Sequence, residues 1–223
     1  MNNRTMICVP IFEKSYDTIL QSARKSIEAG ADLLELRIDV MNNPNPDNVL
    51  NIIKEINFPL IATNRRVEEG GFFQGTEAER TDILVEAAKH ANIIDIELGT
   101  EPEYLAKIVK VSKSTIISYH DFNKTPSADF LLEIVRMEKK LGDIAKFSVM
   151  PQNISDTLIV LEVLSKVQNT IGIAMGDIGM YTRIIAPFFG SPITFASLIN
   201  KSAPGQLDIV TTKNLLDKLR NWR

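Results

Sequence analysis

The chain has 223 residues, about one and a half common domain lengths, so one large domain over 1–223 is expected rather than two small ones. Hydrophobic residues make up 44% and charged residues 24%, which supplies a packed core and excludes a disordered chain. With 25 Lys plus Arg against 28 Asp plus Glu, a net charge of −3 and no basic stripe, neither nucleic acid nor a membrane is expected as a partner.

The first apolar run, MICVPI, has only a few residues before Glu13, too few for a signal-peptide core or a membrane span, so a cytoplasmic location is expected. Cys8 is the only cysteine and reads as a buried, inert thiol. One cysteine and two histidines do not make a structural zinc site of the usual kind, and no motif argues for another metal. Tyr16, Ile19, Ala23 and Ile27 follow at helical spacing, with Gly30 placed to close the helix. In the second run, DLLELRID, Glu35, Arg37 and Asp39 share one parity and are expected on one face of a strand. PNPD at 44–47 predicts a turn before a helix, and PLIAT then leads into Arg65, Arg66, Glu68, Glu69 and the pair Gly70 and Gly71.

Thr76 with Glu79, and Thr100 with Glu103, have the spacing of capping boxes, in which side chains satisfy backbone N–H groups at a helix start. Between them NIIDIEL carries Asp95 and Glu97, again of one parity. TIISYHD ends in Tyr119, His120 and Asp121, after which Thr125 and Pro126 predict an N-cap followed by proline at the first helical position. IAKFSVM holds Lys146, TIGIAMG is followed by Arg183, and PITFAS by the loop Ser202, Ala203, Pro204, Gly205 and Gln206. Eight strand-like runs separated by helical segments predict a (β/α)8 barrel, whose usual size of roughly 200 to 250 residues matches the chain. A doubly wound open sheet is the competitor, but VPIFEKSY lacks the glycine fingerprint of its dinucleotide-binding form.

Barrel enzymes work at the C-terminal ends of their strands, where these polar residues collect. Asp39 and Glu97 read as structural partners for arginine, and His90, beside Lys89 near a helix end, as a surface group. Lys146 stands apart, because an ammonium in an apolar strand loses solvation. A lysine at its ordinary value of about 10.4 is a free amine roughly one time in a thousand near neutral pH, so nucleophilic use calls for desolvation and nearby cations. Ile144, Phe147 and Val149, with Arg37, Arg65 or Arg183 converging, are expected to provide both.

Taken in order, ICVPI, ELRID, a Thr-X-Arg followed by EEGG, DIEL, SYHDF, KFSVMP, AMGDIGMYTR, SPITFAS and SAPGQ give the chain a resemblance to the type I 3-dehydroquinate dehydratases. The resemblance implies a (β/α)8 barrel, commonly a homodimer, that dehydrates 3-dehydroquinate to 3-dehydroshikimate through a lysine Schiff base, without metal or cofactor. That reaction is the third step of the shikimate pathway toward chorismate and the aromatic amino acids. Carried over by motif, Lys146 forms the imine, His120 is the general acid and base, and Glu69 orients it. Glu35, Arg37 and Arg65 hold substrate hydroxyls, Arg183 takes the carboxylate, and Ser202 and Gln206 close over it. Three positions depart from the family pattern: Thr182 replaces a frequent serine, Arg66 a small residue, and Pro10 a serine of some relatives, which removes a hydroxyl there. A Schiff-base aldolase for sugar phosphates shares the barrel and lysine, but GDIG is poor in phosphate-binding glycines. A regulatory binder of quinate-type acids needs neither Lys146 nor His120.

Overall fold

All eight apolar runs form strands: β1 (Met6–Ile11), β2 (Leu33–Arg37), β3 (Leu60–Thr63), β4 (Ile93–Glu97), β5 (Thr115–Asp121), β6 (Ile144–Val149), β7 (Thr170–Ala174) and β8 (Ile193–Phe195). A computed structural model describes residues 4–198 and 202–221; the remaining ends of the expected 1–223 domain, and 199–201, lie outside the described residues. Every ladder is parallel, in the order β7-β6-β5-β4-β3-β2-β1-β8, and the sheet curls into the nearly closed (β/α)8 barrel the alternation predicts. Among the described residues no ladder joins β7 to β8.

The helices are α1 (Tyr16–Glu28), α2 (Pro46–Ile56), α3 (Glu77–Ala87), α4 (Pro102–Val111), α5 (Ala128–Leu141), α6 (Ile154–Lys166), the short α7 (Gly176–Gly179) and α8 (Thr182–Ile185), and α9 (Ile209–Arg220). Gly30 follows α1 at φ +96°, a conformation that suits glycine just past a helix end. Ile19 and Ala23 are buried as expected, but Tyr16 is exposed and its hydroxyl donates to Glu55 at 2.6 Å. Asn45 caps α2 with Pro46 at its start, fulfilling the PNPD reading, and the Thr76–Glu79 box is present on α3.

Two expected caps are displaced. At α4 the cap position is Glu101, and the Thr100 hydroxyl instead accepts from Arg80 Nη2 at 3.1 Å. At α5 the cap is Ser127, whose hydroxyl accepts from the Phe130 N–H at 3.3 Å, so Pro126 precedes the helix rather than opening it. Among the described residues no helix is long and apolar enough to cross a membrane.

Strand alternation divides the barrel lumen into levels. At the N-terminal end each strand contributes one buried apolar side chain: Cys8, Leu33, Ile61, Ile93, Ile116, Ile144, Ile171 and Ile193. Burial of a large aliphatic side chain stabilises the fold by about 1.5 to 3 kcal/mol, so this floor anchors the strands. Two residues further along, five strands turn polar, with Glu35, Thr63, Asp95, Ser118 and Lys146 all buried. Residues of opposite parity pack outward against the helices, as Leu34, Ala62, Ile94 and Ile117 do. The apolar floor thus seals a polar chamber that opens at the C-terminal mouth.

Candidate active site

All nine expected site residues line one cleft at that mouth: Glu35, Arg37, Arg65, Glu69, His120, Lys146, Arg183, Ser202 and Gln206. Met175, Phe122, Ser148 and Phe195 complete part of the wall.

On one side, Glu35 accepts from the Thr63 hydroxyl at 2.7 Å. Arg37 ends β2 and forks onto Asp39 through Nε at 2.9 Å and Nη2 at 2.8 Å, while its guanidinium lies 5.1 Å from the Phe12 ring centre. Asp39 does not share the strand face as expected. The chain leaves the sheet at Arg37 and turns through a 3-10 segment, Ile38–Val40, which swings Asp39 back onto the arginine. Its structural role stands, and so does that of Glu97, which binds Arg65 and Arg80 at 2.8 Å each. Arg65 also reaches Asp95 and the Ser118 hydroxyl at 2.7 Å each. Arg66 points away, to Glu68 and the Gly99 carbonyl.

Lys146 projects into the chamber with Ile144 and Ser148, and its ammonium donates to Asp95 Oδ2 at 2.7 Å. This corrects the expected surroundings. Phe147 and Val149 have the opposite parity and pack outward with Leu131, Val135 and Val160, so they leave the amine untouched. An anion rather than a crowd of cations is its immediate neighbour. Behind the same strand, on α5, lies Glu138, fully buried with neither carboxyl oxygen in a normal hydrogen bond to a described residue. Burial pushes its carboxyl well above the ordinary value, and the Lys146 backbone N–H offsets part of that.

His120 lies on β5 beside Ser148 of β6, two residues further along the neighbouring ladder than Lys146. Strand spacing and rise then put the two α-carbons roughly 8 Å apart. His120 Nδ1 meets Glu69 Oε2 at 2.9 Å, and the same oxygen accepts from the His120 backbone N–H at 3.0 Å. Ring and main chain are therefore fixed together, leaving Nε2 for the cleft. Burial, reinforced by Arg65 and Lys146, pushes His120 well below the usual imidazole value, so the ring is neutral near pH 7. Burial also pushes the Glu69 carboxyl up to about 7 against the pull of Arg65.

Two glycines make that pairing possible. Gly70 has φ +78°, and a Cβ there would come within 2.6 Å of Phe122, whose ring stacks on His120. A Cβ on Gly71 would fall 1.9 Å from the Arg65 carbonyl oxygen.

Arg183 opens from α8 beneath the last loop, donating through Nε to the Gly205 carbonyl and through Nη2 to the Pro204 carbonyl, both at 3.1 Å. Among the described residues no carboxylate pairs with it, and burial lowers its guanidinium to about 10. Ser202 and Gln206 clasp each other through bonds of 2.8 and 2.9 Å. Thr182 keeps a hydroxyl where a serine was expected, bridging the Gly179 carbonyl and the Ala174 N–H. Pro10 is buried in β1 opposite Glu35 and is not part of the cleft wall.

Asp95 and Ser118 went unassigned in the sequence. Their signal was the one that singled out Lys146: a polar residue at inward parity in an apolar strand, Asp95 two after Ile93 and Ser118 two after Ile116.

A sequence model of the family described as Type I 3-dehydroquinase matches residues 7–221. The 3-dehydroquinate dehydratase of Methanothermobacter thermautotrophicus is 48% identical, with 96% of this chain and 97% of that protein covered. That of Methanobrevibacter smithii is 49% identical, with 97% of each covered. A crystal structure of type I 3-dehydroquinate dehydratase from Clostridium difficile, with covalently modified comenic acid, is similar at TM-score 0.91 and 30% identity, covering 99% of this chain and 94% of that one. Motif order, barrel and near full-length similarity agree: the chain belongs to the type I 3-dehydroquinase family.

Proposed function

We propose that the chain is a hydro-lyase that converts 3-dehydroquinate to 3-dehydroshikimate through an imine on Lys146, the third step of the shikimate pathway. It works as one catalytic domain over 1–223, in the cytoplasm and as a homodimer, with no metal or cofactor. The observation that carries this reading is a buried lysine and a neutral, carboxylate-held histidine opening into one cleft with a buried arginine. The names of the two Methanothermobacter and Methanobrevibacter relatives and the covalently modified ligand of the Clostridium difficile protein support it.

The unprotonated Lys146 nitrogen attacks the ring ketone, and the carbinolamine loses water to give an iminium. His120 Nε2 takes the proton from the adjacent carbon, and those electrons move onto the nitrogen as an enamine. The enamine then expels the β-hydroxyl, which leaves as water with the proton His120 returns. Water hydrolyses the conjugated imine and frees product and lysine, so the net change is loss of one water. Glu69 holds His120 through both reversals. Glu35, Arg37 and Arg65 address the hydroxyls, Arg183 forks onto the carboxylate, and Ser202 and Gln206 cover it.

Reduction with borohydride in the presence of 3-dehydroquinate tests this directly. A ligand-sized mass gain on a peptide containing Lys146 is expected. Label confined to other lysines, or turnover with no trapped adduct, overturns the assignment.

A further inference from the structure

We propose that Asp95 is the counter-ion of the Lys146 nitrogen, a positioning residue that aims the side chain and carries its positive charge when that nitrogen becomes an iminium. The second half rests on the imine chemistry proposed above.

The carboxylate is built to be rigid. Asp95 Oδ1 is held by Arg65 Nη2 and the Ser118 hydroxyl at 2.7 Å each, which leaves Oδ2 for Lys146 Nζ, also at 2.7 Å. On another side the ammonium lies 4.7 Å from the Phe195 ring centre. The contact crosses a strand, since Asp95 belongs to β4 and Lys146 to β6. Ser118 of β5, level with Lys146, has a side chain short enough to let the two charges meet. The other ionisable groups around the pair are Arg65 beyond β3, Glu35 on β2, Glu69, His120 on β5 and Cys8 on β1, with Glu97 sharing Arg65 and Glu138 behind the strand on α5.

The charge bookkeeping favours a fixed anion. Nitrogen is positive in the resting ammonium, neutral in the carbinolamine and positive again in the iminium. A cation formed in a buried chamber without a partner is costly. Burial opposes the Asp95 charge, but Arg65 and then Lys146 outweigh it and hold the carboxyl well below the usual carboxylate range. Asp95 therefore stays ionised and moves no proton, which leaves proton transfer to His120.

Asp95→Asn keeps the shape and removes the charge. Competitive acetylation of the free protein with acetic anhydride, followed by mass spectrometry of the Lys146 peptide, reads the pH at which that amine becomes reactive. In the Asn variant this midpoint is expected to fall by about 1 to 3 pH units, the usual effect of one close opposite charge. Turnover of 3-dehydroquinate is expected to fall about 100-fold or more, with a smaller change in KM. A purely structural role would lower kcat without moving the midpoint, so an unmoved midpoint overturns the proposal.

Ser118→Ala keeps the charge and loosens its anchor, with an expected kcat loss of about 2- to 10-fold and no midpoint shift. If Asp95→Asn does not fold, this variant decides, and an unchanged kcat overturns the proposal. If the unsubstituted protein neither consumes 3-dehydroquinate nor traps it, the proposed function fails, while the acetylation arm still decides the pairing.

Discussion

Two buried carboxylates flank β6, and they are opposites. Asp95, inside the barrel, accepts from Arg65, Ser118 and Lys146 and is held well below the usual carboxylate range. Glu138, between α5 and the outer face of the sheet, has no normal hydrogen bond within the described residues and is pushed well above it. Both are 0 to 1% exposed, so depth does not set their charge; the donors around them do. The inner side of the strand has a network of donors that keeps the Asp95 carboxylate charged. The outer side has an apolar layer that favours the protonated form of a carboxyl.

If that division holds, substitutions inside the barrel cost turnover and those outside cost or restore stability. The largest effect is expected from His120→Ala, with kcat falling about 10²- to 10⁴-fold while the unfolding midpoint barely moves. Quenched-flow trapping with borohydride should find imine accumulating in this variant, and near-normal turnover would remove His120 from the mechanism.

Arg183→Ala comes next. Loss of one partner from a buried charge pair costs about 2 to 5 kcal/mol, or some 30-fold to several thousand-fold in affinity. Arg183→Lys keeps the charge but not the planar fork and should fall at the mild end. Calorimetric titration with the product checks both, and unchanged affinity in the alanine variant would pass the anchor role to Arg37 or Arg65.

The smallest effect sharpens the outer half. Glu138→Met removes a buried polar group and should stabilise the protein by about 1 to 3 kcal/mol near neutral pH, with kcat unchanged. The sign follows from the raised carboxyl. Between the ordinary value of 4.5 and the higher folded value, the folded state holds a proton that the unfolded state has lost, so stability falls as pH rises. The advantage of methionine should therefore shrink as pH drops toward 4.5, by up to about 1.4 kcal/mol per unit. Urea unfolding at the two ends of that range measures it, and a pH-independent difference would refute a protonated Glu138.

The strands were legible because each is a short apolar run bounded by turn or cap residues, a local pattern. The caps at Thr100 and Thr125 were misplaced because the position next in line and distant partners decide which residue sits at a helix start. Ser127, two residues on from Thr125, accepts from the Phe130 N–H, while Arg80 draws Thr100 away. Lys146 and His120 were legible as polar residues in apolar strands, helped by motif order. Asp95 carried the same signal, yet its role depends on barrel register. It lies level with Ile116, whereas Lys146 lies level with Ser118, and no local pattern reports that diagonal across β5. Phe147 and Val149 were misjudged for the converse reason, since adjacency in a strand is separation in space.

Arg183 adds a consequence for the protein as a folded object. Its guanidinium has given up water and received in return two main-chain carbonyls from the loop that covers the cleft. The fold thus bears a desolvation cost that a carboxylate-bearing ligand would relieve, which makes recognition and thermal resilience one quantity. A ligand at 100 times its Kd adds about 2.7 kcal/mol to the unfolding free energy by mass action. If Arg183 grips a carboxylate as proposed, melting temperature will report on that grip for any small acid, including those that the proposed chemistry at Lys146 cannot turn over.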